Sequence, residues 1–456
     1  MNMYKPFEHQ QVTTDFIKNN PRCLVTSDPG TGKTRSVLDA IPKDGQRTLV
    51  LAPLSILESS WGDDIEKFRP DLTYSVAYAK NREAAFLGTN DPEPTDIGIT
   101  NHDAVKWIKK NYHVLCGFDR LVIDEFTAFK NQSSQRSKAC LKIAEAFNSR
   151  IAMSGTPNSN TICDIWHPTL IVDDGERLGR RFYSFRSSVC TSSFNGFANE
   201  WHDKDEAQEI VGAALSDINI RYELTDCIDM PEQSVNTMLV TLPPKIQQQY
   251  YQLSEDNVLY TGTKTINAIH AGAKVKKLLQ LCTGAIYDED GNAEGIHSER
   301  YDLVMQLVSQ RSHSLVAFNW RHERERMAEL ADKLGISHAT IDGSVAAHKR
   351  KEIVDRLQAG QVQVVFCHPQ SAGHGLTMTK AKTIIWASPT YNAEHYQQFN
   401  RRIFRAGQTE KTEVIQIAAR NTWEPDVYKK LEGKLGKMDE LLMILKNLHD
   451  NRRIAS

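Results

Sequence analysis

Short apolar runs separated by polar stretches recur along the chain. In the first third they cover residues 23–25, 48–52, 97–100, 121–123 and 151–153, and each ends at a polar residue or a proline. A second series covers residues 314–318, 339–341, 362–366, 383–386 and 413–417. Runs that are apolar on both faces are typical of buried strands in a parallel sheet. The pattern therefore predicts an α/β fold with two parallel-sheet lobes, each covered by helices on both sides.

The apolar runs stop between residues 160 and 295, where the pattern predicts helical and irregular structure. We expect a first lobe at 1–230 with a helical insert at about 160–230, a helical linker or protrusion at 231–295, and a second lobe at 296–456. Within the insert, residues 177–186 mix arginines with aromatic side chains. This mixture is compatible with a DNA contact and equally with long side chains that cover apolar surface.

The last residues of the chain show helical spacing. From roughly residue 435 onward, apolar side chains recur three and four positions apart. They are Met438, Leu441, Leu442, Ile444, Leu445 and Leu448. The spacing predicts one amphipathic C-terminal helix, and packing against the protein is the preferred role for it.

The composition is that of a globular protein: 456 residues, 40% hydrophobic and 25% charged. No stretch approaches the roughly 20 apolar residues that span a membrane, and the N-terminus lacks the apolar segment of a signal peptide. The eight cysteines are scattered without CxxC spacing, which predicts no zinc site and a reducing compartment. We therefore expect the cytosol of a bacterium or of a viral host, with a nucleus left open, and no membrane partner. With a formal net charge of −2, any nucleic-acid binding needs a local basic groove.

A glycine-rich segment, residues 27–34, follows the first apolar run. Gly30 and Gly32 let the backbone wrap around anionic oxygens at the start of a helix, so that the amides of the loop, from Asp28 through Thr31, surround a phosphate. We expect Lys33 to reach the β- and γ-phosphates and the hydroxyl of Thr34 to bind Mg²⁺. The strict pattern has glycine at position 27, where this chain has serine. The segment predicts a nucleotide-binding site.

Two acidic residues, Asp124 and Glu125, follow the apolar run 121–123. The carboxyl end of a strand is where open α/β sheets bind ligands. We expect Asp124 to hold Mg²⁺ through water and Glu125 to orient and deprotonate the attacking water. An acidic pair alone is more often a solvated loop end, but the upstream phosphate loop favours the catalytic interpretation.

Arginines near the C-terminus could complete such a site. Arg402 and Arg405 are three residues apart, one helical turn, and therefore share a face if the segment is helical. Two guanidinium groups can neutralise charge that develops on a γ-phosphate. On spacing alone, a surface cluster of these two arginines with Arg401 is a better interpretation than a role at the γ-phosphate. Gln10 could read the edge of adenine, although in isolation it carries no signal.

In this order the segments resemble those of the SNF2 family of double-stranded DNA translocases, within superfamily 2. The resemblance covers roughly residues 5 to 435 and rests on segments 27–34, 49–57 with Trp61, 99–102, 124–131, 154–158, 318–320, 341–344, 371–379 and 398–408. Thr127 stands where the family has the histidine of its DEAH box, Ala372 replaces a glycine and Thr377 an asparagine. The resemblance implies two RecA-like lobes, ATP and Mg²⁺ as cofactors, and an arginine-finger role for Arg402 and Arg405.

The resemblance also implies residues that face DNA and the nucleotide. By position, Ser55, Thr100 and Asn101 would contact the DNA backbone from the first lobe. From the second lobe the contacts would be Gly343, Ser344, Gly375 and Thr377, and Gly375 would also face the nucleotide. Backbone amides and hydroxyls suit phosphate contacts. Each residue alone would be an ordinary loop or helix cap.

The expected function is ATP-dependent movement along duplex DNA, by an enzyme that acts as a translocase or remodeller. The expected partners are double-stranded or branched DNA and, in addition, a DNA-bound protein, and the expected oligomeric state is a monomer. Alternatives are a strand-separating helicase, a motor that anneals or reverses branched DNA, and an inactive DNA-binding scaffold. The presence of Lys33, Asp124, Glu125 and Arg405 argues against the scaffold.

Overall fold

The computed structural model describes residues 5–88, 94–194, 199–256, 258–261, 264–267, 271–287, 293–372 and 376–455. The chain forms two compact units. Unit 1 comprises Met1–Asp229 and Lys434–Ser456, and unit 2 comprises Met230–Gly433. The residues from Lys434 onward thus group with unit 1, whereas the sequence pattern placed them in the second lobe. None of the helices in the described ranges is long and apolar enough to cross a membrane.

Unit 1 is built on a parallel sheet with strand order β3-β4-β2-β5-β6-β1-β9 in the described residues. A separate antiparallel hairpin consists of β7 and β8. The strands are β1 Arg22–Val25, β2 Arg47–Ala52, β3 Tyr74–Val76, β4 Ile97–Asn101, β5 Phe118–Asp124, β6 Ser149–Met153, β7 Cys190–Phe194, β8 Asn199–Asp203 and β9 Asn219–Ile220. The five runs predicted from the first third of the sequence are all confirmed as strands of this sheet.

Helices cover both faces of this sheet. They are α1 Glu8–Asn19, α2 Lys33–Ala40, α3 Asp63–Phe68, α4 Arg82–Leu87, α5 Val105–Lys110, α6 Gln135–Ala144, α7 Trp166–Asp173, α8 Phe182–Val189, α9 Ala207–Leu215 and α10 Leu224–Cys227. Short 3₁₀ helices include Leu54–Ile56, His102–Ala104, Phe126–Phe129 and Ile162–Ile165, and a π-helix covers Leu57–Gly62.

Alternate residues of each central strand enter two different cores. In β2, Leu49 and Leu51 belong to one hydrophobic cluster, and Val50 and Ala52 belong to the other. Successive side chains of a strand point to opposite faces, so both faces of β2 are buried. This two-sided burial explains why the sequence shows continuous apolar runs rather than an alternating pattern.

Unit 2 contains a parallel sheet of order β10-β19-β18-β15-β17-β16 among its described strands. The strands are β10 Gln233–Val240, β11 Val258–Thr261, β12 Lys264–Asn267, β13 Ala285–Tyr287, β14 Ala293–Gly295, β15 Ser314–Ala317, β16 His338–Ile341, β17 Val364–Cys367, β18 Thr383–Trp386 and β19 Thr412–Ala419. The helices are α11 Pro244–Asp256, α12 Ala271–Cys282, α13 Glu299–Ser309, α14 Arg321–Lys333, α15 Ala347–Gln358, α16 Pro369–Ala372, α17 Ala393–Asn400 and α18 Glu424–Ala455. The predicted α/β fold with two parallel sheets is confirmed.

The segment 160–295 is less helical than its sequence indicates. It contains the β7–β8 hairpin, β9, and β10, which pairs along eight residues with β19. In β10 all residues from Ser234 to Leu239 are exposed. An edge strand buries few side chains, so it lacks the apolar pattern by which strands are recognised.

The basic and aromatic segment 177–186 packs within unit 1. The Arg186 guanidinium lies 3.8 Å from the centroid of the Trp201 ring. The Arg177 guanidinium pairs with the Asp217 carboxylate at 2.7 Å. Both contacts favour the packing interpretation of this segment over a DNA contact.

The C-terminal helix α18 packs on the unit 1 core, as the spacing predicts. Leu441 and Leu445 are part of that core. Across from them lies Gly212 of α9, where a Cβ atom would stand 2.5 Å from Cγ2 of Ile444. The close approach of the two helices therefore depends on the absence of a side chain at position 212.

Candidate active site

The glycine-rich loop connects β1 to α2. Gly30 and Gly32 have φ angles of 93° and 83°, in the left-handed region that favours glycine. A Cβ on Gly32 would lie 2.2 Å from Nε2 of Gln10, so a side chain at this position would displace the Gln10 amide. Because α2 begins at Lys33, the loop leads directly into a helix N-terminus, which favours an anion.

Lys33 lies among acidic side chains. Its Nζ donates to the backbone oxygens of Ser27 and Asp28 at 2.8 and 3.1 Å. Burial lowers the pKa of the Lys33 ammonium, and the carboxylates of Glu125, Asp124 and Asp28 act in the opposite direction. The fold thus brings the predicted phosphate-binding lysine and the predicted acidic pair into one electrostatic environment.

The start of the loop is anchored by residues that precede α10. Arg221 pairs with Asp28, Nη2 to Oδ1 at 3.0 Å, and its Nη1 donates to the Thr26 carbonyl at 2.6 Å. The backbone N–H of Tyr222 donates to Oγ of Ser27 at 3.0 Å. This contact gives the serine at position 27 a structural role. The carboxylate of Asp28 is held inside the protein by Arg221, while the sequence prediction for Asp28 concerns its backbone amide.

The loop also contacts α1. Nε2 of Gln10 donates to the Thr31 carbonyl at 3.1 Å, and a ring nitrogen of His9 lies 2.8 Å from the same oxygen. The Thr31 hydroxyl donates to the Asp28 carbonyl at 2.8 Å. Gln10 and His9 therefore both lie beside the loop, and the contact of His9 has no sequence signal.

Asp124 ends β5 and accepts two hydrogen bonds from distant segments. Nε1 of Trp61 donates to its Oδ2 at 2.9 Å, and Nε2 of His102 donates to its backbone oxygen at 2.7 Å. Burial raises the pKa of the Asp124 carboxyl, while the Trp61 bond and the charge of Lys33 lower it.

Glu125 has a backbone conformation that is rare for a non-glycine residue, with φ of 56°. Such strain typically costs about 1–3 kcal/mol and tends to occur at functional sites. Oγ of Ser154 donates to Oε1 of Glu125 at 2.5 Å, and the Thr127 hydroxyl contacts the same oxygen at 3.4 Å. The link from this carboxylate to segment 154–158 is therefore direct, although threonine replaces the family's histidine.

The donor atoms at this site fit Mg²⁺. Thr34, in the first turn of α2, offers a hydroxyl, and Asp124 offers a carboxylate oxygen. Mg²⁺ prefers oxygen ligands and is typically bound through one or two protein groups together with phosphate and water.

In unit 2, Arg402 and Arg405 do not share a helix face. Helix α17 ends at Asn400, so both arginines lie in the turn that follows it. They nevertheless converge, because Nη1 of each donates to the Leu376 carbonyl, at 2.9 Å from Arg402 and 3.3 Å from Arg405. Arg402 is buried and also donates from Nε to the Gln398 carbonyl at 3.0 Å. The neighbouring Arg401 lies over the Phe404 ring.

The DNA-facing candidates of unit 1 differ in exposure. Ser55 is half-buried in the 3₁₀ helix Leu54–Ile56. Asn101 is half-buried at the end of β4, and its Oδ1 has no hydrogen-bond partner among the described residues. Thr100 is fully buried, and its hydroxyl donates to the Ala77 carbonyl at 2.6 Å. Because this hydroxyl points into the fold, Thr100 supports β4 and is not placed to contact a phosphate.

The DNA-facing candidates of unit 2 follow β16 and α16. Gly343 and Ser344 are exposed, and Oγ of Ser344 donates to Oδ1 of Asp342 at 2.6 Å. Thr377 is half-buried next to the carbonyl that the two arginines share. Gly375 lies outside the described residues.

Comparisons with known proteins agree with these features. The profile of the SNF2-related domain matches residues 11–285, and that of the helicase conserved C-terminal domain matches residues 299–407. The chain is 28% identical to putative protein p41 of Acyrthosiphon pisum secondary endosymbiont phage 1, over 98% of this chain and 100% of that protein.

Larger proteins also match nearly the whole chain. The putative ATP-dependent helicase/translocase YwqA of Bacillus subtilis is 22% identical over 92% of this chain and 46% of its own length. The human DNA annealing helicase and endonuclease ZRANB3 is 22% identical over 92% of this chain and 38% of its own length. The chain thus spans the full phage relative and less than half of these two proteins. Since the SNF2-related profile covers more than half of its residues, the chain belongs to the SNF2-related family of helicase-like ATPases.

Proposed function

We propose that this protein is a translocase that moves along double-stranded DNA at the expense of ATP. The observation that carries the proposal is the arrangement in unit 1, where Lys33 lies under the electrostatic influence of Asp124 and Glu125. In this arrangement the lysine can bind phosphates, one carboxylate can hold Mg²⁺ and the other can activate water. These three roles suit hydrolysis of a phosphoanhydride.

The proposed nucleotide contacts follow from that arrangement. The backbone from Gly30 to Gly32 surrounds the β-phosphate, and Lys33 neutralises the β- and γ-phosphates. Thr34 and Asp124 hold Mg²⁺, which shields the phosphate charge when bound. Gln10 lies beside the loop to meet the base, and Asp28 acts indirectly by anchoring the loop through Arg221.

Glu125 is the proposed acceptor of the proton from the attacking water. The Ser154 hydroxyl at 2.5 Å holds the carboxylate in place, and a carboxylate fixed in this way can orient water. The bond ties this carboxylate to segment 154–158, so that a change at the phosphate can reach the rest of unit 1.

Arg402 and Arg405 are the proposed source of positive charge from the second lobe. Their shared contact with the Leu376 carbonyl holds both guanidinium groups at one place. Arg405 is less buried than Arg402, which makes it the better candidate for direct contact with the γ-phosphate. Gly375 is also a proposed contact to the nucleotide and to DNA, on the basis of its sequence motif alone.

DNA binding is proposed to use the backbone of the duplex. Ser55 and Asn101 would serve unit 1, and Gly343, Ser344 and Thr377 would serve unit 2. A motor that moves along any sequence needs phosphate contacts rather than base readout. Thr100 is excluded from this set because its hydroxyl is buried.

The remaining expectations concern partners and compartment. The cysteines are scattered along the sequence without CxxC spacing, which supports the proposal of a reducing cytosol. We propose that the nucleic-acid partner is duplex or branched DNA and that the enzyme is a monomer. A DNA-bound protein is the proposed protein partner.

A side-by-side assay tests the function. ATP hydrolysis is measured with duplex DNA, single-stranded DNA, a branched junction and RNA, for the wild type and for Lys33→Ala. We expect the strongest stimulation by duplex, no activity in the variant, displacement of a third strand from a triplex, and no separation of a forked substrate. Unwinding of the fork would establish the strand-separating alternative, and DNA-independent hydrolysis in both proteins would contradict the site.

A further inference from the structure

Two segments proposed to face DNA each send one side chain to the same acidic residue. The first is the turn after β2, which contains Ser55 and continues into the π-helix Leu57–Gly62. The second is the end of β4 at Asn101, followed by the 3₁₀ helix His102–Ala104. Trp61 comes from the first segment and His102 from the second, and both donate to Asp124.

The Trp61 link reaches the carboxylate itself. Its indole is fully buried in the same core cluster as Ile56 and Leu57, the two residues that directly follow Ser55. A close-packed interior transmits small displacements instead of absorbing them. π-Helical turns are uncommon and often occur at functional sites. A movement of the Ser55 turn is therefore passed to the indole N–H, and from there to Oδ2 of Asp124.

The His102 link reaches the backbone on the other side. Its Nε2 donates to the Asp124 carbonyl at 2.7 Å, and its ring lies edge-on to Phe129 at 5.3 Å between centroids. Phe129 ends the 3₁₀ helix that begins directly after Glu125. His102 thus has two contacts. One is with Asp124, the first residue of the acidic pair, and the other is with Phe129, the last residue of the 3₁₀ helix that follows the pair.

We propose that Trp61 and His102 are positioning residues that couple DNA contact at the Ser55 and Asn101 segments to the orientation of Asp124. Neither residue touches the nucleotide in this scheme. Groups that hydrogen-bond a metal ligand fix its orientation, and their loss typically weakens metal binding by about 10- to 100-fold. The inference rests on the proposed function, because it assumes that the two segments face DNA.

The main variant is Trp61→Phe, which keeps a buried ring and removes the N–H donor. Its matched control is Trp107→Phe, the same substitution in the same unit at a ring that packs on Phe86 and does not contact Asp124. His102→Phe is the second variant and removes the other donor. Thermal unfolding of each protein identifies any variant that fails to fold.

Two readouts separate positioning from simple stability. The first is the Mg²⁺ concentration that half-saturates binding of a fluorescent ADP, measured without DNA. We expect Trp61→Phe to raise it by about tenfold and to leave ADP binding in EDTA unchanged. The second is the ratio of ATP turnover with and without duplex DNA. We expect this ratio to fall by about tenfold in Trp61→Phe and in His102→Phe, with duplex affinity changed less than twofold, and to stay at the wild-type value in Trp107→Phe.

The outcomes distinguish this inference from the proposed function. If the wild type is stimulated by duplex and Trp61→Phe behaves as Trp107→Phe does in both readouts, the coupling is overturned and the proposed function stands. If Mg²⁺ dependence shifts but stimulation is unchanged, Trp61 orients Asp124 without coupling it to DNA, and the inference fails. A wild type that no nucleic acid stimulates overturns the proposed function and the coupling with it. The Mg²⁺ shift then still decides whether Trp61 positions Asp124.

Discussion

Arg221 and Asp28 form an ion pair that is almost entirely buried, with 5% and 8% of their side chains exposed. Nη2 and Oδ1 are 3.0 Å apart, and the other carboxylate oxygen of Asp28 accepts the backbone N–H of Leu224 at 3.2 Å. The residues lie almost 200 positions apart in the chain. Their contact attaches the phosphate loop to the segment that joins β9 to α10.

Replacing Arg221 by alanine tests this attachment. The change leaves the Asp28 carboxylate buried without its partner, and breaking a buried pair in this way costs about 3–5 kcal/mol. We expect a clear drop in the denaturation midpoint together with weaker ATP binding, because the loop loses its anchor. Lys142→Ala, which removes an exposed pair with Glu145, is the control and should leave both quantities unchanged. Unaltered stability in Arg221→Ala would contradict the anchoring role.

Arg405→Ala should abolish hydrolysis and leave ATP binding intact. An arginine finger acts mainly on charge that develops in the transition state. The measurement is turnover with duplex DNA beside equilibrium binding of a fluorescent ATP analogue, with Arg401→Ala as control because its guanidinium packs on Phe404. Equal loss of binding and turnover would identify Arg405 as a structural residue.

Ser154→Ala should lower kcat with little effect on KM. The hydroxyl donates to Glu125 at 2.5 Å, and one hydrogen bond to a charged acceptor corresponds to roughly a tenfold effect. Ser159→Ala is the control, since its hydroxyl accepts a hydrogen bond from Nζ of Lys130 at 3.0 Å. If KM rose while kcat stayed constant, the bond would serve substrate binding and not water activation.

Glu323 makes the stability of unit 2 depend on pH. Burial raises the pKa of its carboxyl from 4.5 to about 7. The folded state therefore keeps a proton that the unfolded state releases, and this stabilisation is complete below about pH 4.5 and is lost as the pH rises through 7. Relative to the wild type, Glu323→Gln should gain on the order of 2–3 kcal/mol between pH 5 and pH 8. Denaturant titrations at several pH values measure the difference, and a constant difference would contradict the prediction.

Local sequence was sufficient for the central strands and for the glycine-rich loop that leads into α2. Strands such as β2 and β5 are apolar on both faces because two cores cover them, and a burial pattern of this kind is visible in any short window. Gly30, Gly32 and Lys33 act within one loop, so their spacing is itself the signal. The edge strand β10 gave no such signal because its residues from Ser234 to Leu239 are exposed.

The convergence of the two arginines was predicted for the wrong reason. Spacing placed Arg402 and Arg405 on one helix face, but α17 ends at Asn400. Their guanidinium groups meet because both reach the Leu376 carbonyl from a turn. A spacing of three residues predicts a shared face only where the backbone continues as a helix. It does not predict that two side chains in a turn reach the same acceptor.

The sequence by itself determined the central strands of the two parallel sheets and supplied the candidate residues for phosphate binding. The tertiary structure alone decided which distant partners hold those residues: Arg221 on Asp28, Ser154 on Glu125, and Trp61 with His102 on Asp124. The physical reason is that strand burial and loop conformation depend on neighbouring residues. A hydrogen bond between residues tens of positions apart exists only once the sheet has brought the ends of its strands to one edge.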